Sequence, residues 1–507
     1  MTRWIRSCFF VLLALAAALA HAQAAWPTQA WQTASPESQG VDSGALQSLV
    51  SFGSFNQMDS LLVVRHGRIV LETHYAPFRD GNLHVINSAT KSVLSTLVGM
   101  AIDKGLLPDA RTPVLQLLPG RTAANTDARK QALTLQQLLD MTSGLEWDEP
   151  LSDAPPRSSI EMGRSRDWTQ FVLDRPMAHE PGAVFNYNTG NSQLASAILS
   201  QATGMSAEQF AARELFAPLG ITRWRWRQDP AGVSTGGFGL YLAPRDMAKF
   251  GLLALHHGEW DGRQLVPRAW MDKAFAASVP MNLMPALDFR YGNSWWAIPS
   301  RGATMAVGFH RQLVVLLPEH DVVVVVTGRR HYAFEQLLDN VLVGIRSAQP
   351  LPEDPAAQQA LAARVRQAGV EPEARPIGTA PPGLEERVSG RKWKLSRNAL
   401  GVQQFALNFG AEPGYEVVTF TAPGASTTRT STYRFANGGR FVSSDGVFGP
   451  AVARAEWLPD GRLAVHTRFI EEGETSTYVV RFDGDKVDID FTYSTGMQLR
   501  FTGEAVD

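Results

Sequence analysis

The sequence predicts an α+β protein: one sheet flanked by helices, with its N-terminal and C-terminal strands meeting, followed by a small all-β domain. Three observations predict it. Strand-like apolar runs stand at both ends of residues 25–348, and helical patterns fill the space between them. A connector rich in Pro, Ala and Glu follows at 349–382. From 383 to 507, short alternating runs separated by turn residues describe an antiparallel sandwich or barrel.

Residues 1–24 carry Arg3 and Arg6, run apolar from Cys8 to Ala20, and reach Ala20-His21-Ala22 and Ala22-Gln23-Ala24. A basic start, a short apolar core and an Ala-x-Ala site describe a secretory signal peptide, so a periplasmic or secreted mature chain is expected. The run is short for a membrane span, and no later stretch reaches that length. Leu61–Val64, Arg65-His66-Gly67-Arg68 and Ile69-Val70-Leu71 read as a hairpin turning at Gly67. Helical patterns follow at Ser88–Lys104, Leu135–Met141, Ser192–Ala202, Ala207–Phe216 and Pro244–His257, and Gly105 sits where a C-cap belongs. Gln312–Pro318 and Val322–Thr327 are two strands split by Glu319-His320-Asp321, and His331–Ile345 is helical. In the connector, Ala356–Gln367 predicts a short helix docked on the first domain. In the tail, Pro459-Asp460-Gly461 and Asp483-Gly484-Asp485 mark turns, the latter between Tyr478–Phe482 and Lys486–Phe491. There is no fixed-period repeat.

Composition excludes several function classes. The 507 residues are 44% apolar, and a formal charge of -2 argues against a polybasic nucleic-acid binder. Cys8 is the only cysteine and would leave with the signal, which excludes disulfides, thiol catalysis and Cys-ligated metals from the mature chain. No His-Glu-x-x-His, Gly-x-Ser-x-Gly, phosphate loop or dinucleotide fingerprint occurs. No metal or other cofactor is expected.

Only 8 of the 47 basic residues are Lys, so each Lys is informative. Ile86-Asn87-Ser88-Ala89-Thr90-Lys91-Ser92-Val93-Leu94 opens a predicted helix, and residue i+3 shares a face with residue i. The Lys91 amine can therefore reach the Ser88 hydroxyl, as a serine nucleophile with a lysine base requires. An ammonium accepts no proton, so Lys91 must be held near neutrality, and the apolar flanks make burial the means. Ser389-Gly390-Arg391-Lys392 matches the same string but leads into a strand-like tail, where no helix presents the pair on one buried face. That match is chance.

Further blocks follow in order. They are Leu138–Leu145, then Glu180-Pro181-Gly182-Ala183-Val184-Phe185-Asn186-Tyr187-Asn188-Thr189-Gly190-Asn191, then Gly237–Gly251 and Tyr291-Gly292-Asn293-Ser294-Trp295-Trp296. Together they resemble the class C β-lactamase-like serine hydrolases of the serine β-lactamase and penicillin-binding superfamily, especially the 6-aminohexanoate-dimer hydrolase and esterase branch. The resemblance covers the first domain only. It implies a β-lactamase/transpeptidase-like fold, an antiparallel sheet flanked by helices with a helical subdomain. It implies Ser88 as nucleophile, Lys91 as its base and Tyr187 as the phenol that shuttles a proton to the leaving group.

There are two departures. Two residues after the Tyr stands Thr189, where Asn or Ser is common; its hydroxyl can still hydrogen-bond. The third motif, normally a cation or His followed two residues later by Gly, is best matched by Val307-Gly308-Phe309-His310-Arg311-Gln312, in which that Gly is missing. His310 is the candidate to orient a substrate carbonyl or carboxylate. The expected oxyanion donors are the N–H of Ser88 and one on the strand after His310. The reaction expected is hydrolysis of a small-molecule amide or ester. A D-amino-acid peptidase or a β-lactamase could use the same site, and a non-catalytic sensor on the same fold is the reading from another class. The resemblance also implies that the blocks holding Trp147, Asp148, Trp295 and Trp296 border the cleft, although buried aromatics are mostly core.

Overall fold

The structure, a computed structural model, describes residues 26–506 apart from 153, 282, 284–286, 372–377, 421–426, 438–439, 447–448 and 495. The expected signal peptide, 1–24, lies outside the described residues. Strands β1 (Met58–Arg65) and β2 (Arg68–His74) form the expected hairpin. At its turn His66 and Gly67 take φ of 49° and 70°, the paired left-handed residues that suit a tight hairpin. Next come three short strands, β3 (His84–Val85), β4 (Arg225–Trp226) and β5 (Leu240–Leu242), which make a small sheet in the order β3-β5-β4. β6 (Val279–Pro280), β7 (Arg290–Gly292), β8 (Trp295–Ile298), β9 (Ala303–Gly308), β10 (Gln312–Leu317) and β11 (Val322–Gly328) complete the main sheet. Its order is β2-β1-β11-β10-β9-β8-β7-β6. Leu61 faces Val326 and Arg65 faces Val322, so the N-terminal and C-terminal strands do meet.

Both faces of this sheet are covered, which is why β10 and β11 read as unbroken apolar runs rather than alternating ones. On one face Leu62, Val64, Val314, Leu316, Val323 and Val325 pack against helices α2 (Thr90–Asp103) and α5 (Pro244–Leu255). The others in that layer are α3 (Leu135–Leu139) and α4 (Thr189–Thr203). On the other face Leu61, Val63, Leu313, Val315, Val324 and Val326 meet α1 (Ser43–Phe55), α6 (Phe334–Gly344) and α7 (Pro355–Ala368). α7 is the helix of the connector, and its Leu361 is buried in that second core. α6 begins three residues later than the pattern suggested. The carbonyl of Tyr332 is engaged by the Arg311 Nε at 2.8 Å, which holds 331–333 outside the helix.

The C-terminal domain starts with a helical turn, Leu384–Val388, and continues, among the described residues, as eleven strands. Among them are β12 (Lys392–Leu395), β13 (Leu463–Phe469), β14 (Glu474–Asp483), β15 (Lys486–Tyr493) and β16 (Gln498–Val506). The sheet ends at Thr428–Arg434 on one side and Ala436–Asn437 on the other. Only Phe435 separates those two strands in sequence, so the sheet must curl until its ends nearly meet. Phe405, Val465, Ile489 and Phe501 fill the interior. The Gly484-Asp485 hairpin joins β14 to β15 as its turn residues required.

Candidate active site

Ser88 sits in a 3₁₀ turn, Asn87–Ala89, that runs into α2. The turn is pinned from behind, where the Ile86 N–H donates to the Leu240 carbonyl of β5 at 2.9 Å. From the side, Asn87 Nδ2 donates to the Phe309 carbonyl at 3.3 Å. Lys91, in the first turn of α2, is 2% exposed. Its Nζ donates to Ser88 Oγ at 3.0 Å, to Thr189 Oγ1 at 3.2 Å and to the Gly237 carbonyl at 2.8 Å. Burial pulls this ammonium down to about 8, and the charge of Glu149 opposes the shift.

Tyr187 is buried, and its hydroxyl interacts with the Ser88 side chain. Burial first, and then the Glu149 charge, push its pKa well above the ordinary phenol, against the influence of the Ser88 hydroxyl. The phenol therefore stays protonated at neutral pH and can act as a donor. Lys91 Nζ lies 4.8 Å from the centre of the Tyr187 ring. Ser88, Lys91 and Tyr187 thus converge from the α2 start and the loop before α4. Tyr291 and Trp296 wall the phenol at centroid distances of 6.4 Å each.

The sequence reading missed Glu149. Its carboxylate accepts from the Thr189 N–H at 2.8 Å, the Thr189 hydroxyl at 2.6 Å and the Trp147 Nε1 at 2.6 Å. Thr189 opens α4, so the carboxylate also faces the positive end of that helix. The available signal was an acid directly after Trp147-Asp148, in a block already placed at the cleft; nothing local tied it to a helix forty residues on.

His310 occupies the turn between β9 and β10 at φ 58°. Its ring contacts Phe309 and His331, and its Nδ1 is 3.9 Å from Glu474 Oε1 in the C-terminal domain. Burial holds its pKa down to about 4, helped by His331 and opposed by Asp59, so the ring is neutral. The segment laid against the nucleophile turn is the one before it. A Cβ on Gly308 would meet the Ile86 carbonyl at 2.2 Å, so the close-approach glycine precedes His310 instead of following it. The second Ser-x-x-Lys string is far from this chemistry: Ser389 Oγ bonds Asn408 and Lys392 is exposed on β12.

Among the described residues, Glu72, His74 and Asp80 are the one group spaced to hold a metal ion. Arg245 already supplies their cation, with two bonds to Glu72 at 2.8 and 2.7 Å and Asp80 at 3.2 Å.

A family model described as Beta-lactamase matches residues 55–344. The 6-aminohexanoate-dimer hydrolase of Paenarthrobacter ureafaciens is 26% identical over 286 residues, 53% of this chain and 71% of that protein. Protein flp of Staphylococcus aureus (strain N315) is 26% identical over 178 residues, 33% of this chain and 34% of that protein. A solved structure from Bacillus anthracis, named as a candidate 6-aminohexanoate-dimer hydrolase, shares the fold with a TM-score of 0.53 at 20% identity, covering 64% of this chain and 89% of its own. The chain belongs to the Beta-lactamase family, and with it to the serine hydrolases.

Proposed function

We propose that this protein hydrolyses an amide or ester bond of a small molecule through an acyl-enzyme on Ser88. The observation that carries the reading is the hydrogen-bond set of Lys91. The Gly237 carbonyl can only accept, and the Thr189 hydroxyl has its proton committed to Glu149, so it too accepts from Lys91. In neutral Lys91 those two acceptors take the two N–H bonds. The lone pair is left facing Ser88 Oγ at 3.0 Å.

Lys91 then removes the Ser88 proton as Oγ attacks the carbonyl carbon. The developing oxyanion is held by the Ser88 N–H and a backbone N–H of the turn that follows β9. On collapse the carbonyl-to-heteroatom bond breaks, and the leaving amine or alkoxide takes a proton through Tyr187, which is replenished from Lys91. Water, deprotonated by the same pair, frees the acid and restores Ser88. The amide arm is supported by the name of the Paenarthrobacter relative, which acts on a 6-aminohexanoate dimer. We also read residues 1–24 as an export signal, so that the mature enzyme works in the periplasm or outside the cell; N-terminal sequencing of the exported fraction checks this.

The decisive experiment is intact mass after exposure to a fluorophosphonate, with Ser88→Ala beside the wild type. One adduct on the wild type and none on the variant is expected. No adduct on folded wild type overturns the reading. Short esters, linear amides, D-amino-acid peptides and β-lactams then form the substrate panel.

A further inference from the structure

The residues joining β13 to β14, Ile470–Gly473, reach out of the C-terminal domain to the strands that frame Ser88. The Val85 N–H donates to the Glu471 carbonyl at 2.7 Å, so this turn is bonded to β3 just before the nucleophile. Glu472 accepts from the Tyr241 hydroxyl at 2.7 Å and from Arg227 at 2.5 Å, and Glu471 accepts from Arg225 at 2.9 Å. The Arg225 and Arg227 guanidiniums lie 3.8 and 5.3 Å from the centre of the Tyr241 ring. Tyr241 is fully buried on β5. Its neighbour Leu240 holds the Ile86 N–H, and the same segment carries Gly237, whose carbonyl holds Lys91. Directly after the turn, Glu474, the first residue of β14, lies 3.9 Å from His310, in the loop whose Phe309 carbonyl receives Asn87.

The turn therefore bonds to two of the backbone segments that converge on Ser88 and Lys91, and Glu474 just after it faces the third. We infer that the Ile470–Gly473 turn, through the Glu471 carbonyl and the Glu472 carboxylate, positions the nucleophile turn, so that the C-terminal domain completes the active site. The inference rests on Ser88 as the nucleophile. It assigns work to a region that lies beyond the family match, which ends at 344. The physical basis is geometric: a displacement of about 1 Å at a reacting group can cost on the order of a hundredfold in rate. β3 is only two residues long, and its backbone pairs with β5 and with this turn.

The test uses the full chain and three readouts: the rate at which a fluorophosphonate labels Ser88, kcat and KM on p-nitrophenyl butyrate, and Tm. Glu472→Ala is expected to slow labelling and kcat about tenfold with a smaller change in KM. Glu472→Gln, which still accepts from the Tyr241 hydroxyl, recovers part of that loss. Glu371→Ala removes a different contact with the same domain, the Arg468–Glu371 pair at 3.0 Å, and leaves labelling unchanged. Wild-type labelling rates in folded Glu472→Ala overturn the inference, as does an equal slowing by Glu371→Ala, which would mark general docking. Should Glu472→Ala not fold, Glu472→Gln and Arg227→Ala are read against the same criteria. A wild type that takes no label fails before any variant is compared, and that result strikes the serine-hydrolase reading instead.

Discussion

The hydroxyl of Thr189 donates to Glu149 across 2.6 Å and, with its proton so committed, receives Lys91 at 3.2 Å. With the Gly237 carbonyl, this side chain sets which way the amine of Lys91 can present its lone pair. In the proposed mechanism Glu149 thereby acts on the reaction at one remove, through Thr189 and through its charge.

The catalytic set is checked by three substitutions. Ser88→Ala abolishes turnover, and Lys91→Ala lowers kcat/KM by about three orders of magnitude or more, since it removes the base. Tyr187→Phe slows turnover by about a hundredfold while Tm stays near wild type, because the ring still fills its place beside Tyr291 and Trp296. Full activity in Lys91→Ala at neutral pH would sink the assignment.

With Lys91 as the base, activity is expected to follow its neutral form, its pKa held at about 8. Below that pH, kcat/KM is expected to fall about tenfold per pH unit, because the charged form cannot accept the Ser88 proton. Removing the opposing charge in Glu149→Gln lowers the Lys91 pKa further, so the acid limb of the profile moves to lower pH. A profile that keeps its acid limb in place would show that Glu149 does not act on Lys91.

Thr189→Val deletes the acceptor and is expected to cost about tenfold in kcat, whereas Thr189→Ser keeps the hydroxyl and stays near wild type. Equal activity of the two variants would separate Thr189 from the base.

Gly308→Ala puts a methyl group 2.2 Å from the Ile86 carbonyl, a backbone atom that cannot swing aside. The expected cost is about 1–3 kcal/mol of stability, read as a fall in denaturant midpoint, with loss of activity in the folded fraction. Unchanged stability would mean that β9 and the nucleophile turn move apart freely.

Glu474 is pushed up to about 7 by burial, with the Ser494 bond opposing and the Glu472 charge adding. A carboxyl raised in the folded state contributes stability that is complete below its unfolded value of 4.5 and is lost as pH rises through 7. His310, lowered from 6.5 to about 4, has the opposite sign: its contribution is present above 6.5 and is lost as pH falls toward 4. Glu474→Gln should therefore raise Tm relative to wild type at pH 8 and lose that advantage near pH 4.5. A gain of the same size at both pH values would exclude ionisation of Glu474 as its source.

Much of the fold was legible because local signals and global packing agree. The His66-Gly67 turn, the Val runs of β10 and β11, and the Gly484 hairpin each carry their own cause in sequence. Ser88 and Lys91 were legible for a similar reason, since one helical turn separates them and their geometry is local. Tyr187 came through the resemblance, because nothing near it names its partner. His310 was chosen for its place in a motif, yet its turn aims the ring at Phe309, His331 and Glu474. Glu149 and the Ile470–Gly473 turn left no local trace.

By itself, then, the sequence determined the elements, their order and the Ser-x-x-Lys pair, all consequences of short-range periodicity and turn chemistry. Only the tertiary structure decided how Lys91 is oriented, which glycine admits the close approach, and that the β-rich tail touches the strand before Ser88. Those depend on groups forty to nearly four hundred residues apart in the chain. Such groups meet only when the sheet, the helices and the curled C-terminal domain have packed.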